Sequence, residues 1–373
     1  MSDSDDTSDE SGVPGPPAVP LRRGWTTGAC ASAATRAACE LLATGQAPAV
    51  VVITLPSGAT TSFAVAMSEA ASGTATAGVI KDAGDDPDVT HGALVKSSVS
   101  RGAAGTGIVF RAGVGVGTVT RPGLAIPPGE PAINPVPRDM IRLAVREAAR
   151  CFGGSADVVV EISIPGGEAL AARTLNSRLG IVGGLSILGT TGIVIPFSCA
   201  AWIHSIHRGI DVARASGITH IAGSTGSTSE RAVQALLGLP DTALIEMGDF
   251  VGGMLKYLRR HPMPRLTIAG GFARMTKLGQ GMLDLHSKRG EVDLGWLARL
   301  AADAGAGSDV CAAIAGANAA QQVLQIAEAA GIQLGGLVAQ AAHRTAAAEI
   351  AGAGIVLDVA VFDRQGRLVG QFS

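Results

Sequence analysis

Hydrophobic and polar positions change their period along this chain of 373 residues, and each period predicts a different kind of element. Residues 26–45 are mostly small and apolar, which predicts a helix that a threonine caps and a glycine ends. Residues 49–67 then alternate around the turn sequence PSG, as a β-hairpin does. Further strands are predicted at 75–80, 108–112 and 158–164, and a helix at 138–151. Antiparallel strands with two helices indicate an α+β domain that ends near Arg178.

From residue 183 the pattern changes to short apolar strands, each followed by a glycine-containing loop and a helix. The predicted strands are LSIL, ITHIA, ALIEM and RLTIAGG, and the helices after them run to about residues 216, 237 and 260, with a fourth from about 274. Such alternation is typical of βαβ units, in which helices cover both faces of a parallel sheet. The expected fold class therefore combines an α+β domain with an α/β, Rossmann-like parallel-sheet domain.

One apolar run, LGIVGGLSILGTTGIVIPFSCAAWI, contains no charged residue between positions 179 and 203. It is long enough to span a bilayer, but its glycines and Pro196 weaken a helix, and no second such run exists. We therefore expect a buried strand, LSIL, that enters the loop GTTG, with SRLG as the hinge between two domains. The expected division is a disordered acidic tail at 1–20, an α+β domain forming part of the substrate cleft at 21–178, a Rossmann-like domain at 179–340, and a C-terminal helix and hairpin of undetermined membership at 341–373.

The composition excludes several classes of function. A net charge of −2 indicates neither a nucleic-acid footprint nor a polybasic membrane surface. Five cysteines, an odd number without a C-x-x-C pair, indicate neither a zinc site nor a disulfide framework. The N-terminus is acidic and lacks the apolar core of a secretory signal. We expect a cytoplasmic protein that does not bind membranes.

Two glycine-containing loops are candidate ligand sites, because ligands of parallel sheets bind beyond the carboxyl ends of the strands. GTTG follows LSIL, and GSTG follows ITHIA, with Ser227 and Glu230 at capping-box spacing. Neither loop is a P-loop or G-x-G-x-x-G, so tight turns without a ligand are an equally good interpretation. Acidic residues about 20 positions further on suit ribose hydroxyls, or simply cap a helix. The predicted cofactor-binding residues are Gly189, Thr190, Thr191, Gly192, Gly223, Ser224, Thr225, Gly226, Glu246 and Asp249.

Polar candidates also occur in the first domain. VIKDAGDDPDVTHG fails the calcium-loop spacing and is either a solvated acidic turn or the source of a general base, for which Asp85, Asp86 and His91 are the candidates. The proline-rich RPGLAIPPGEPAINPVPRDM either presents its polar groups rigidly or only connects two elements. His204 and His207 share a helix face, but no third ligand stands at motif spacing, so we favour a surface or packing role and predict no metal site.

Five blocks in order, LRRGWTTGACASAATRAA, VIKDAGDDPDVTHG, RPGLAIPPGEPAINPVPRDMI, TLNSRLGIVGGLSILGTTGIVIPFS and MGDFVGGML, resemble the cobalt-precorrin-5B C(1)-methyltransferase (CbiD) family. The resemblance implies methyl transfer from S-adenosylmethionine to ring carbon 1 of cobalt-precorrin-5B, giving cobalt-precorrin-6A, in anaerobic cobalamin biosynthesis. The chain departs from the family pattern at Gly271 and Phe272, where a histidine is common. Lys277, His286 and Ser287 are similar to the family pattern.

The resemblance implies S-adenosylmethionine on the two glycine loops and a cobalt-corrin substrate between the domains, with cobalt arriving inside the substrate. Asp85, Asp86 or His91 would take up a ring proton. The implied substrate-binding residues are Arg101, Arg111, Arg121, Glu130, Asn134 and Arg138. Two alternatives stay open, a nicotinamide-dependent oxidoreductase and a non-catalytic tetrapyrrole carrier. A homo-oligomer and transient contacts with neighbouring pathway enzymes are compatible with this interpretation.

Overall fold

The computed structural model describes residues 20–373, so the acidic tail expected at 1–20 lies, apart from Pro20, outside the described residues. The described part contains eleven α-helices: α1 Thr27–Thr44, α2 Pro135–Phe152, α3 Gly167–Ala171, α4 Cys199–Ala215, α5 Ser227–Leu237, α6 Val251–Arg260, α7 Phe272–Gly279, α8 Leu294–Asp303, α9 Ser308–Ala315, α10 Ala320–Ala329 and α11 Leu334–Glu349. Its strands are β1 Gly24–Trp25, β2 Val50–Thr54, β3 Thr60–Ala64, β4 Met67–Ala71, β5 Thr74–Ile80, β6 Leu94–Arg101, β7 Ile108–Ala112, β8 Gly115–Val116, β9 Thr118–Val119, β10 Val158–Ser163, β11 Ile181–Val182, β12 Gly184–Leu185, β13 Ile193–Val194, β14 His220–Ser224, β15 Leu244–Glu246, β16 Arg265–Gly271, β17 Val356–Phe362 and β18 Leu368–Phe372. The mixed α/β class expected from the periodicity is confirmed.

The chain forms two compact units that are not continuous in sequence. Of the described residues, the first unit holds 20–110, 136–165 and 187–197, and the second holds 111–135, 166–186 and 198–373. The periodicity suggested a single crossing near residue 178, whereas the chain passes between the units several times. Hydrophobic period reports the kind of element a segment forms, but not which core that element joins.

The first unit contains a five-stranded sheet in the order β4-β5-β6-β10-β7, packed against α1. Alternate side chains of β6 and β10 are buried, as a sheet with one covered face requires, whereas β5 is buried along most of its length. Helix α1 starts where the sequence predicts: the Thr26 hydroxyl accepts the Ala29 amide, and Gly45 ends the helix with a φ of 73°. Strands β2 and β3 pair antiparallel, so the predicted hairpin is also confirmed.

The second unit contains a five-stranded sheet in the order β15-β14-β16-β17-β18. The first four strands are parallel and β18 is antiparallel. Helix α5 packs on one face, and a large apolar cluster that includes α6, α7 and α11 covers the other. The chain leaves β14 for β15 on one side and later returns to β16 on the other. The crevice beyond the carboxyl ends of β14 and β16 is therefore the topological switch point, where open parallel sheets bind ligands.

The prediction that LSIL is the first strand of this parallel sheet is wrong. Only Leu185 of the motif is in a strand, in the short β12, which pairs parallel with β8 in a separate two-stranded sheet. The loop that follows instead covers the start of α1, since the carbonyls of Leu188 and Gly192 accept the amides of Gly28 and Thr26. An apolar run before a glycine loop has the same pattern in both settings. No helix within residues 20–373 is long and apolar enough to cross a membrane.

The C-terminal hairpin, whose membership the sequence left undetermined, completes the sheet of the second unit. Strand β17 pairs parallel with β16 along seven residues, and β18 forms the antiparallel edge. The Ala-rich stretch from Leu294 to Gly331 is divided into the three helices α8, α9 and α10.

Candidate functional site

Three loops converge at the carboxyl ends of β14, β15 and β16. The amides of Met247 and Gly248, after β15, donate to the Ser224 carbonyl that ends β14, at 3.0 and 3.2 Å. The side chains join the loops as well, because Arg274 Nε in α7 donates to Asp249 Oδ1 at 2.7 Å. Arg274 also lies beside Gly226, as its Nη1 is 3.9 Å from the position that a Cβ would take there. Residues at the ends of three strands are therefore close together in space, although they are far apart in the sequence.

Helices α5, α6 and α7 all begin at this edge, and no side chain caps any of the three. The first amides of a helix carry partial positive charge and seek acceptors. An anionic group of a ligand suits such an edge. The capping box predicted from Ser227 and Glu230 is wrong, because the residue before α5 is Gly226 and the Glu230 carboxylate is bound elsewhere.

Two glycines at this edge have no structural reason to be glycine. Gly226 has an extended backbone with a φ of 171°, and a Cβ there would meet only the tip of Arg274. At Gly271 a Cβ would meet nothing within 4 Å, and φ is −66°. Gly223 differs, because its Cβ would stand 2.5 Å from Met254 Sδ in the core. The open glycines flank the switch point, where a bound molecule can approach the backbone closely.

A charged network lies beside the end of β15. Arg178 donates two hydrogen bonds to the Glu230 carboxylate, at 2.7 and 2.8 Å, and the buried Ser224 hydroxyl donates to the same group at 3.3 Å. Glu246 is opposite Ser224 in the strand register and is half-buried. Burial, and next the charge of Glu230, raise the pKa of Glu246, while Arg178 opposes the shift. Arg178 thus pairs directly with Glu230, and its charge also favours the ionised form of Glu246.

The candidate general bases of the first unit make structural hydrogen bonds. The Asp85 carboxylate accepts the Arg22 amide at 2.6 Å, and the Asp86 carboxylate accepts the Phe197 amide at 2.8 Å. His91 is exposed, and its Nδ1 accepts the Ala83 amide at 3.1 Å. Their predicted catalytic role stays a prediction.

The loop Gly189–Gly192 belongs to the first unit, whereas Gly223–Gly226 belongs to the second. Both glycines of the first loop have left-handed backbones, with φ of 129° and 82°, and a Cβ would stand 2.4 Å from Thr26 or 2.7 Å from Leu55. Thr190 and Thr191 are exposed. Packing on α1 accounts for the glycines of this loop, so they do not by themselves indicate a ligand.

The predicted substrate-binding residues are divided between the units. Arg101 and Arg138 are in the first, where the Arg138 guanidinium lies 5.2 Å from the centre of the Phe110 ring. The second holds Arg111, Arg121, Glu130 and Asn134. Arg101 and Arg111 are exposed and the other four are half-buried, so all six present some surface. Binding of a substrate by these residues stays a prediction.

His204 and His207 lie on α4, in a group of stacked rings. The His207 ring stacks on Tyr257 of α6 with centroids 3.9 Å apart, and Tyr257 stacks on His261 at 4.3 Å. Burial lowers the pKa of His207. His207 is thus packed against a ring of α6, whereas His204 is exposed. Within residues 20–373 no three potential metal ligands form a group.

Sequence reasoning missed three residues of this region: Arg178, Arg274 and Trp202, the last of which lies against Gly248. Each lies far along the chain from its partner, at 52 residues for Arg178 and Glu230, and 25 for Arg274 and Asp249. The sequence pattern that did locate the site was a predicted strand followed by a glycine, because it identified the carboxyl edge of the sheet.

Comparison with known proteins identifies the family. The CbiD family model matches residues 16–196, and the model of the CbiD C-terminal domain matches 284–372. Proteins named cobalt-precorrin-5B C(1)-methyltransferase from Bradyrhizobium sp. (strain BTAi1), Agrobacterium fabrum and Methylorubrum extorquens are 70%, 63% and 60% identical, over 94% of this chain and 94%, 93% and 97% of theirs. A crystal structure of a cobalamin biosynthesis protein (cbiD) from Archaeoglobus fulgidus is 30% identical, covering 72% of this chain and 83% of that one, with a TM-score of 0.39. By family models and curated relatives alike, the chain belongs to the CbiD family.

Proposed function

We propose that this chain is a C-methyltransferase that transfers the methyl group of S-adenosylmethionine to ring carbon 1 of cobalt-precorrin-5B. Relatives that share 60–70% of its residues over 94% of its length carry that name. Cobalt-precorrin-6A and S-adenosylhomocysteine are then the products, and the reaction belongs to anaerobic cobalamin biosynthesis. A cytoplasmic location is part of the proposal. A homo-oligomer and contacts with neighbouring pathway enzymes belong to the same proposal.

The cofactor site of this proposal is the carboxyl edge of the parallel sheet in the second unit, as a Rossmann-like half-domain. The open glycines Gly226 and Gly271 and the three uncapped helix starts support it, since together they accommodate a close and partly anionic ligand. Glu246 and Asp249 are acceptors at the end of β15 for ribose hydroxyls. The convergence of these loops is the one structural observation that carries the proposal.

The sulfonium of S-adenosylmethionine supplies an electrophilic methyl group, and the conjugated ring supplies the carbon nucleophile. No nucleophilic side chain is needed, so the residues at the strand ends act by holding and orienting the ligand. Alignment of two reactants supplies several kcal/mol, up to about 7–11 kcal/mol in favourable cases. In the proposal Asp85, Asp86 or His91 accepts the proton that the ring loses, and Arg101, Arg111, Arg121 and Arg138, with Glu130 and Asn134, bind the polar groups of the substrate.

The assignment of the loop Gly189–Gly192 to the cofactor site has less support than that of Gly223–Gly226, because packing on α1 already accounts for the glycines of the first loop. At Gly271, on the same edge, the chain departs from the family pattern that the resemblance implies, in which a histidine is common. The chain therefore carries out its chemistry with the groups that remain, among which Lys277 is buried and donates to the Leu285 carbonyl.

Anaerobic incubation with S-adenosylmethionine and cobalt-precorrin-5B tests the activity. We expect a product heavier by one methyl group, together with S-adenosylhomocysteine, and labelled methyl should appear in the corrin. Corrin that binds without gaining a methyl group identifies a carrier. Protection by NADH but not by S-adenosylhomocysteine in thermal unfolding identifies a nicotinamide enzyme, since a ligand at 100 times its Kd stabilises by about 2.7 kcal/mol.

A further inference from the structure

Trp202 is an exposed tryptophan at the edge of the proposed cofactor site. It lies in the first turn of α4, and 44% of its surface is exposed. Aromatic residues make up only 3% of the chain, and the other two tryptophans, Trp25 and Trp296, are half-buried. Packing in the hydrophobic core does not explain an exposed indole in a chain with so few aromatic residues.

The indole of Trp202 lies against Gly248. A Cβ on Gly248 would meet Cζ2, Nε1 and Cε2 of the indole at 3.4, 3.4 and 3.5 Å, so this side of the ring lies against that residue. Gly248 also has a left-handed backbone, with a φ of 55°, which keeps the position free of a side chain. One side of the indole thus lies against a glycine, while the residue keeps a large exposed area.

Gly248 connects this ring to the cofactor site. Its amide donates to the Ser224 carbonyl at the end of β14, two residues before Gly226. The next residue, Asp249, binds Arg274, and Arg274 lies beside Gly226. Trp202 therefore places an exposed aromatic ring next to the loop whose carboxylate we assign to the ribose.

We propose that Trp202 stacks on the adenine ring of S-adenosylmethionine, which makes it a cofactor-binding residue contributed by α4. This inference rests on the proposed function. A purine attached to a ribose near Asp249 reaches a neighbouring ring of this kind, and a conjugated base gains free energy by stacking on an indole face. The sulfonium and the amino acid group of the cofactor then extend away from Trp202 towards the open glycines.

Calorimetric titration with S-adenosylhomocysteine tests the proposal on the full chain. Stacking of a base on an aromatic ring contributes about 1–3 kcal/mol, so Trp202→Ala should raise the Kd roughly 5- to 150-fold. Trp202→Phe retains a flat ring and should stay within about threefold of the wild type. Methylthioadenosine, which has the adenine but no amino acid group, should lose affinity by the same factor as S-adenosylhomocysteine.

Leu236→Ala is the matched control, because Leu236 is 46% exposed near the end of α5 that lies away from the strand ends. It should leave the Kd unchanged. Tryptophan emission supplies a second readout: S-adenosylhomocysteine should change the emission of the wild type, and most of that change should be lost in Trp202→Phe. Unchanged melting temperatures establish that the variants are folded.

The outcomes separate the inference from the function on which it rests. If the wild type binds S-adenosylhomocysteine and folded Trp202→Ala binds it equally well, the inference is wrong and the proposed function stands. If Trp202→Ala raises only the KM for the corrin, the indole faces the macrocycle and the adenine assignment is overturned. If the wild type binds no S-adenosylhomocysteine and transfers no methyl group, the proposed function itself fails.

Discussion

The two glycine loops make opposite predictions for the same substitution, alanine at Gly226 or at Gly192. At Gly226 the backbone is extended, and the new Cβ would come no closer than 3.9 Å to Arg274 Nη1. We expect the free energy of unfolding to change by less than about 0.5 kcal/mol, with a small gain from the stiffer unfolded chain. The new methyl group instead occupies space at the switch point, so the Kd for S-adenosylhomocysteine should rise at least about tenfold, equal to about 1.4 kcal/mol.

At Gly192 the effect should be on folding. The left-handed backbone, with a φ of 82°, costs a non-glycine residue about 1–2 kcal/mol. A Cβ there would also stand 2.7 Å from Leu55 Cδ2, and such overpacking costs about 1–3 kcal/mol. Together these terms lower the free energy of unfolding by about 2–5 kcal/mol and the Tm by roughly 4–20 °C.

Thermal unfolding with and without S-adenosylhomocysteine measures both effects in one experiment. Gly226→Ala should have the Tm of the wild type without ligand, but its Tm should rise less when the ligand is added. Gly192→Ala should have a lower Tm and should bind the ligand normally while it is folded. Gly271→Ala is a second test of the open edge, since a Cβ there meets nothing within 4 Å. The reasoning is refuted if Gly226→Ala is as unstable as Gly192→Ala, or if a folded Gly226→Ala binds the ligand with unchanged affinity.

Two further predictions concern ion pairs. Arg178→Ala removes both hydrogen bonds to Glu230, a residue only 8% exposed, and should lower the free energy of unfolding measured in urea by about 3 kcal/mol. Arg178→Lys keeps the charge and should lower that free energy by less. Equal decreases in the two variants would contradict the role of Arg178 as the partner of Glu230. The Arg22 guanidinium, followed by the Gly84 amide, lowers the pKa of Asp82 to about 2, so Asp82 stabilises the fold above its unfolded pKa of about 3.9 and loses that effect as the pH falls towards 2. Because the Arg22–Asp82 pair is exposed, Asp82→Asn should lower the free energy of unfolding by under about 1 kcal/mol at neutral pH. The difference in this free energy between the variant and the wild type should become smaller below about pH 4. A difference that does not change with pH would exclude the Asp82 carboxylate as its source.

Local chemistry made several elements predictable. Thr26 and Gly45 determine where α1 begins and ends because capping acts within one turn. Alternation and a proline-glycine turn determine the hairpin of β2 and β3 in the same way. The strand–glycine–helix rhythm also located β14, β15 and β16, whose carboxyl ends form the candidate site. All these signals depend on neighbours within a few residues.

The interpretation was wrong where one local pattern serves two different environments. LSIL followed by glycines looked like a sheet strand, but the loop satisfies the amides of α1, far away in sequence. Glu230 had the spacing of a cap, but its carboxylate pairs with Arg178. An acceptor binds the donor that lies nearest in space, and its sequence position does not reveal which donor that is.

The sequence by itself determined the alternation of elements, the class of the fold and, through its motifs, the family. Only the tertiary structure decided which loops share an edge, which glycines are open, that Arg274 pairs with Asp249, and that Trp202 lies against Gly248. Periodicity and capping are short-range effects, and they act before the chain folds back on itself. The site is made of contacts between distant segments, and these exist only once the parallel strands have assembled and brought their carboxyl ends to one edge.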